Sequence, residues 1–241
     1  MKICRYLRAF ARAGLTILAF QVVMPPVSSA EQLHPLQSQL NGVWDFSFED
    51  NFGDNDDDED GGEFQEDVSV DPSILTDAAR EYQQSFDPEK DDPLHSCRSV
   101  GTPNLTRIPF SMEILDLRDR IYMLSALLGS TRRIYLSDNG PEPDFPNQYG
   151  FSTGVWENDT LVVTTTAISE QPFIGSEGLP FSGDPEAHVV ERIHLTDNGG
   201  TLINDITIVD PKYYVGGAHL QIVWKRSEFP IIIDDCFLAT Y

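Results

Sequence analysis

The sequence predicts a mostly β domain, namely an antiparallel up-and-down barrel of about eight to ten strands with one short helix. Two observations lead to this prediction. Stretches in which apolar and polar residues alternate recur from residue 42 to residue 238, and polar turns such as Asn158-Asp159 and Asp197-Asn198-Gly199-Gly200 separate them. A meander of such strands removes its exposed edges by closing into a barrel. A sandwich of two β-sheets is the alternative architecture.

The individual elements follow from local patterns along the chain. Gly42 to Phe48 alternates apolar and polar residues and predicts the first strand. Leu75 to Gln84 predicts the short helix, because Thr76 is a good N-cap residue and Asp77 follows it in the first turn. The remaining strands are predicted at residues 106–117, 120–128, 132–137, 149–157, 160–168, 188–195, 201–209, 219–225 and 231–238.

The first thirty residues have the three parts of a secretory signal peptide. A basic, acid-free head precedes the apolar run from Ala13 to Met24, and Val27-Ser28-Ser29-Ala30 offers small residues for cleavage after Ala30. The run is about a dozen residues long, whereas a membrane-spanning helix needs about 20. We therefore expect residues 1–30 to be removed, the chain to be exported to the periplasm or beyond, and no membrane insertion after cleavage.

The charge of the chain limits its partners. The formal net charge is −23 at pH 7, and removal of four basic and no acidic residues with the leader moves it to −27. Nucleic acid is excluded as a partner because its binding depends on neutralisation of phosphates by Lys and Arg. Docking on anionic lipid is disfavoured for the same reason. Such an acidic surface keeps an exported protein soluble.

After the leader, we expect a polar lead-in at residues 31–41 and a single domain at residues 42–241. Within that domain, residues 49–67 contain eleven acidic and no basic residues. Such a run cannot bury enough apolar surface to offset its loss of conformational entropy, so it predicts a solvated, disordered insertion. Asp56, Asp58 and Asp60 match the spacing of a calcium loop, but the amphipathic helix that should precede such a loop is missing from the pattern. We predict no metal site.

The cysteines and the motif content complete the chemical outline. Two cysteines, Cys97 and Cys236, remain after cleavage, and we predict one disulfide between them because exported proteins occupy oxidising compartments. The sequence contains no nucleophile elbow, phosphate loop or dinucleotide fingerprint. We therefore expect no cofactor.

Two resemblances support the barrel. Gly42-Val43-Trp44 on the first strand, followed by the meander, resembles the opening of a lipocalin-type (calycin) barrel, a family in which the Trp packs across the closed end. A longer series of motifs resembles a family of exported bacterial proteins of unassigned function. The motifs that carry this resemblance occur in this chain in the following order: Asp91-Asp92-Pro93, Cys97, Gly101-x-Pro103, Met112-Glu113, Arg132-Arg133-Ile134-Tyr135, Trp156-Glu157-x-Asp159-Thr160-Leu161-Val162-Val163, His188-Val189-Val190-Glu191-Arg192 and Asp210-Pro211-Lys212.

This second resemblance covers about residues 42–238 and implies the fold but no reaction. The chain departs from the family at two points. It reads Gly150-Phe151-Ser152 where members usually have Gly-His-Ser, and Ser125-Ala126-Leu127 where they often carry an acidic residue. If the family uses a histidine or a carboxylate at those points, this chain lacks it.

Glu191 is the first candidate for a functional role. Alternation in the strand from His188 places Glu191 on the apolar, inward face, where a carboxylate is costly unless it is paired. It therefore either forms an internal ion pair, with Arg132 or Arg133 as partner, or serves a ligand. The opposite register would instead make His188 and Arg192 the site residues.

Arg133 and Tyr135 form a second candidate pair. They share one face of their strand, where a hydroxyl beside a guanidinium could hold a carboxylate or phenolate ligand. The alternative is a surface arginine with a tyrosine at the rim of the barrel.

Three functions follow as hypotheses. The first is an exported protein that binds a small, partly apolar and possibly anionic ligand through Arg133, Tyr135, His188 and Glu191. The second is a lyase, isomerase or cyclase on the same barrel, with Glu191 or His188 as general acid or base. The third is an interaction protein that acts through the acidic run at residues 49–67. The sequence leaves the oligomeric state open.

Overall fold

The computed structural model describes residues 33–52, 70–136, 140, 145–174 and 178–235. Within this part of the chain there are eleven strands, namely β1 (Gly42–Phe46), β2 (Met112–Asp116), β3 (Arg120–Ser125), β4 (Thr131–Tyr135), β5 (Phe151–Glu157), β6 (Thr160–Thr166), β7 (Gln171–Ile174), β8 (Leu179–Phe181), β9 (His188–Thr196), β10 (Thr201–Val209) and β11 (Ala218–Arg226). Nine of them form a closed barrel in the order β1-β11-β10-β9-β6-β5-β4-β3-β2, and β7 and β8 form a separate hairpin.

The barrel closes because β1 pairs on both sides. Trp44 on β1 lies opposite Met112 on β2 and opposite Arg226 on β11, so the first and last strands of the barrel are neighbours. This arrangement confirms the predicted barrel, and the two-sheet sandwich is not what forms.

One pair of strands departs from the predicted antiparallel meander. β4 and β5 are parallel, with Ile134 opposite Ser152 and Tyr135 opposite Thr153. A parallel pair needs a connection of about a dozen residues or more, and residues 136–150 of the sequence separate these two strands. Every other neighbouring pair in the barrel is antiparallel among the described residues.

The helices are short and are not part of the barrel wall. They are α1 (Phe48–Phe52), α2 (Asp77–Ser85) and α3 (Pro88–Asp91), accompanied by short 3-10 helices. α2 is the predicted helix, and the Thr76 hydroxyl accepts a hydrogen bond from the Ala79 N–H at 3.2 Å. None of these helices is long and apolar enough to span a membrane.

α1 occupies the start of the acidic run at residues 49–67, for which the sequence predicts a disordered insertion. Residues 49–52 instead belong to α1. The Asn51 side chain holds them against β11, because it forms the pair of backbone hydrogen bonds that a neighbouring strand would form. Its amide nitrogen donates to the Val223 carbonyl oxygen and its amide oxygen accepts from the Val223 N–H, both at 2.9 Å. Residues 53–67, including the candidate calcium-loop aspartates, lie outside the described residues.

The segment that the sequence presents as a polar lead-in seals one end of the barrel. A 3-10 helix at Gln37–Leu40 lies below Trp44, which is fully buried and donates from Nε1 to the Leu40 carbonyl oxygen at 2.9 Å. The Arg226 guanidinium lies 4.2 Å from the centre of a Trp44 ring and donates to the carbonyl oxygens of Gln39, Asn41 and Gly199. The packing of Trp44 across a closed end agrees with the lipocalin-type resemblance.

The opposite end of the barrel is covered by two groups of residues. One consists of α2, the β7–β8 hairpin and the loop after β10, where the Tyr214 hydroxyl donates to the Pro180 carbonyl oxygen at 2.6 Å. The other, which we call the plug loop, comprises residues 100–108, predicted in part as a strand. Gly101 is required there, because a Cβ atom at this position would lie 1.9 Å from the Gln148 carbonyl oxygen.

Residues 231–235, the described part of the strand predicted at residues 231–238, do not form a strand. They make a single β-bridge between Leu127 and Asp234 instead, with the Asp234 N–H donating to the Ala126 carbonyl oxygen at 2.7 Å. The loop after Cys97 reaches the same region, because the Ser99 and Ser130 hydroxyls are 2.6 Å apart. Cys236 itself lies outside the described residues, so the disulfide stays a prediction, with both neighbouring segments converging on residues 125–130.

We expect Arg226→Ala to lower the free energy of unfolding by about 1–3 kcal/mol. The variant loses three charge-assisted hydrogen bonds to backbone carbonyl oxygens and the contact with the Trp44 ring. Urea denaturation followed by tryptophan fluorescence measures the change. Arg133→Ala is the matched control. Arg133 is likewise an exposed arginine over an aromatic ring, that of Tyr122, but it makes no hydrogen bond to the described segment at Gln37–Leu40 that seals the barrel. A smaller loss for Arg226→Ala than for the control would contradict the sealing role.

Candidate functional site

A group of polar side chains lies inside the barrel and forms the candidate site. Strand alternation turns each of its strand-borne members inward, among the apolar core residues. We call the group the interior polar cluster, and it consists of Thr106, Arg132, Ser152, Thr165, Glu191 and Asn204. All six side chains are buried, and those on strands come from β4, β5, β6, β9 and β10, which are successive neighbours in the barrel.

An ion pair between Arg132 and Glu191 is the centre of the cluster. The Arg132 side chain is 1% exposed and that of Glu191 is 0% exposed. Nη1 of Arg132 donates to Oε1 of Glu191 at 3.0 Å, and Nη2 donates to Oε2, which makes the contact bidentate. Glu191 therefore does face inward, and it meets one of the two arginines that the sequence put forward as partners.

The hydroxyl groups of β5 and β6 satisfy the rest of the guanidinium. Nε of Arg132 donates to Ser152 Oγ at 3.1 Å, and Nη2 donates to Thr165 Oγ1 at 2.7 Å. The two hydroxyl oxygens are 2.9 Å apart and hydrogen-bond to each other. Four of the five guanidinium N–H groups consequently have acceptors among the described residues.

Two further donors complete the surroundings of Glu191. Nδ2 of Asn204 donates to Oε1 at 3.1 Å, and the Thr106 hydroxyl lies 3.3 Å from the same oxygen. Thr106 also lies 3.1 Å from the Pro103 carbonyl oxygen, so its single hydrogen serves both acceptors. Thr106 belongs to the plug loop, and this contact couples the covered end of the barrel to the centre of its interior.

The surroundings of Glu191 determine its ionisation. Burial by itself would raise the pKa of this carboxyl, but the charge of Arg132 and the hydrogen bonds from Arg132, Asn204 and Thr106 together lower it below its ordinary value. Glu191 is therefore ionised at neutral pH and engaged by three neighbours. Such a group is suited to fixing structure and orienting polar partners, rather than to giving up a proton as a general acid.

The other predicted site residues lie on the outer face of the barrel. Arg133 is exposed, with its guanidinium 5.4 Å from the Tyr122 ring centre. Tyr135 is half-buried and stacks on Phe151 with ring centres 5.5 Å apart. His188 is half-buried at the start of β9, with Nδ1 2.8 Å from the Glu186 carbonyl oxygen. The structure thus does not bring these three residues together with Glu191 inside the barrel.

The sequence reasoning missed Ser152, Thr165, Asn204 and Thr106. A signal exists for Asn204, because it interrupts the apolar positions of β10 between Leu202 and Ile206. Single serines and threonines in strands give no comparable signal, since they occur equally on outer faces. Among the described residues, no group of three or more His, Cys, Asp or Glu side chains is placed to hold a metal ion.

We expect Glu191→Gln to lower the free energy of unfolding by about 3–5 kcal/mol, because the amide leaves the buried charge of Arg132 without compensation. Urea denaturation of wild type and variant measures the loss. The control is Glu157→Gln, which breaks an exposed pair with Arg192 at 3.1 Å and should cost less than about 1 kcal/mol. Equal losses in the two variants would contradict the importance of the interior pair.

The lowered pKa of Glu191 also predicts how stability changes with pH. The native state binds this proton less tightly than the unfolded chain does, so the stabilisation is fully present above the ordinary glutamate value of 4.5 and is lost as the pH falls below it. We expect the stability difference between wild type and Glu191→Gln to narrow as the pH is lowered from 6 to about 3. Urea midpoints across this range measure it, and a constant difference would contradict the assignment.

Comparison of the chain with known proteins finds no relative. No protein-family model matches the chain, and no curated protein matches it either. The described residues form a closed nine-stranded barrel with a charged pair buried in its interior.

Proposed function

We propose that the chain is an exported small-molecule-binding protein whose ligand lies inside the barrel, against the interior polar cluster. The leader at residues 1–30 and the acidic composition support export of a soluble protein.

The distribution of polar side chains inside the barrel is the observation that carries this proposal. The strand-borne members of the interior polar cluster come only from the five neighbouring strands β4, β5, β6, β9 and β10. The facing strands β11, β1, β2 and β3 contribute mainly apolar side chains to the interior. These include Trp44, Phe46, Met112, Ile114, Ile121, Met123, Ile222 and Trp224.

This asymmetry is typical of a ligand site. Small-molecule sites are mostly apolar and contain a few polar groups that converge and fix the orientation of the ligand. A barrel of about eight strands is either filled by side chains or holds one small ligand in its interior. A core that serves only stability has little use for a buried ion pair, since well-packed apolar residues of similar volume are often at least as stabilising.

We expect native mass spectrometry of the protein purified from its source to show the chain with one small molecule bound, and denaturing spectra to show the chain alone. The double variant Arg132→Met with Glu191→Leu removes the charged pair while keeping the interior electrically balanced, and it should not retain the molecule. Glu157→Gln, on the outer surface, should retain it.

A native spectrum that contains only the chain mass, from protein whose circular dichroism shows a folded β domain, would contradict internal ligand binding. Retention of the same molecule by the double variant would contradict the role of the interior polar cluster.

A further inference from the structure

Two buried polar atoms in the barrel interior have no hydrogen-bond partner among the described residues. They are Oδ1 of Asn204, an acceptor, and the Nε1–H group of Trp224, a donor. Asn204 is 2% exposed and Trp224 is 1% exposed. An unpaired buried polar group is destabilising, so two of them in one interior call for a partner there, either a ligand group or a buried water. Nε1 of Trp156, the third such atom, belongs to a ring stacked on His34 elsewhere in the barrel.

The two atoms belong to adjacent strands and face the same interior. In the pairing of β10 with β11, Leu202 lies opposite Trp224 and Asn204 lies opposite Ile222. Residues that lie opposite each other share a face of the sheet, and Leu202 and Asn204 share one because they are two positions apart. Asn204 and Trp224 are therefore diagonal neighbours, which are typically about 7–8 Å apart. A group inserted between their side chains can contact both.

The orientation of the Asn204 amide is determined by Glu191. An ionised carboxylate only accepts hydrogen bonds, so the amide must present Nδ2 to Glu191 Oε1, as it does at 3.1 Å. Oδ1 consequently points away from that contact. If the amide rotated so that Oδ1 and Nδ2 exchanged places, Oδ1 would face Glu191 Oε1, which is also an acceptor. Oδ1 cannot gain a hydrogen bond in this way.

We propose that the ligand is a neutral, predominantly apolar molecule with a hydroxyl group that donates to Asn204 Oδ1 and accepts from Trp224 Nε1. This inference rests on the proposed function and names its ligand class. A hydroxyl is the smallest group that both donates and accepts, so one such group satisfies both atoms. A carbonyl or an ether oxygen satisfies only Trp224, and a carboxylate offers no donor to Asn204.

The charge of the interior also favours a neutral ligand over an anionic one. Arg132 is the only buried basic side chain among the described residues, and its charge is already balanced by the bidentate contact with Glu191. An additional carboxylate inside the barrel would be a buried charge without compensation, which is strongly unfavourable. The ring of Trp224 packs edge-on against Phe46 with centres 5.6 Å apart, so the surface next to the donor is apolar.

A matched set of three probes tests the hydroxyl. We use 1-octanol, the ether methyl heptyl ether with the same number of heavy atoms, and octanoate, each added to ligand-free protein produced from the full chain. Two-dimensional NMR of the indole N–H groups follows binding, with the Trp224 signal assigned through Trp224→Phe. We expect 1-octanol to shift the Trp224 signal and to leave that of Trp44, which already donates to Leu40, in place.

Two variants and one control complete the experiment. Trp224→Phe removes the donor and replaces the indole by a smaller apolar ring. Asn204→Leu replaces the acceptor by an apolar side chain of similar size and also removes the donor to Glu191. Each should weaken 1-octanol binding at least about tenfold, and the ether should bind at least about tenfold more weakly than the alcohol. Asp205→Asn is the control, because Asp205 lies on the outer face of the same strand and accepts from Gln221 at 2.7 Å. If Asn204→Leu does not fold, Trp224→Phe and the ether comparison still decide.

The outcomes separate this inference from the function on which it rests. Equal binding of alcohol and ether, failure of 1-octanol to bind, or tighter binding of octanoate overturns the hydroxyl bridge, even where native mass spectrometry retains a molecule. A water signal at Trp224 Nε1–H that 1-octanol does not displace shows a buried water in this place and also overturns it. A native spectrum with the chain alone and no probe binding overturns the proposed function itself.

Discussion

The interior of the barrel depends on the bidentate contact between Arg132 and Glu191. Each charge would be prohibitive without the other in a site that water does not reach, so the two must be brought together whenever the barrel forms. They are 59 residues apart in sequence and lie on β4 and β9, with β5 and β6 between them. The contact therefore reaches across two intervening strands, and the hydroxyls of Ser152 and Thr165 on those strands are bonded to the same guanidinium. A register shift of one residue on any of these strands would turn a cluster member to the outer face.

Much of the fold could be predicted from the sequence because strand alternation is a local signal. The barrel, α2 with its Thr76 cap, and the inward position of Glu191 all follow from patterns within about ten residues. The parallel pairing of β4 with β5 could not be predicted in the same way. The sequence of residues 136–150 does not indicate which strand β5 pairs with, since that depends on which strand edge is still unpaired when β5 joins the barrel.

The candidate site was harder to predict because it is assembled from five strands and a loop. Glu191 is conspicuous as a charge among apolar residues, whereas Arg132 and Arg133 are adjacent and only the register decides which of them faces inward. Thr106 was assigned to a strand, but it lies in a 3-10 helix of the plug loop. Close backbone contacts hold that loop, such as the one that excludes a side chain at Gly101, and they become visible only when residues distant in sequence are brought together.

The pairing of β1 with β11 has a consequence for how the molecule reaches its folded state. Trp44 and Arg226 lie opposite each other although nearly the whole domain separates them in the chain. A chain that ends before β11 would leave β1 and β10 as open edges, and unpaired edges of this kind recruit other chains. Closure therefore has to follow synthesis of the last strand, and long-range pairing of this kind makes folding slow. Until the barrel closes, the open edges of one molecule can pair with those of another and cause aggregation. Chaperones would protect the chain most during this interval.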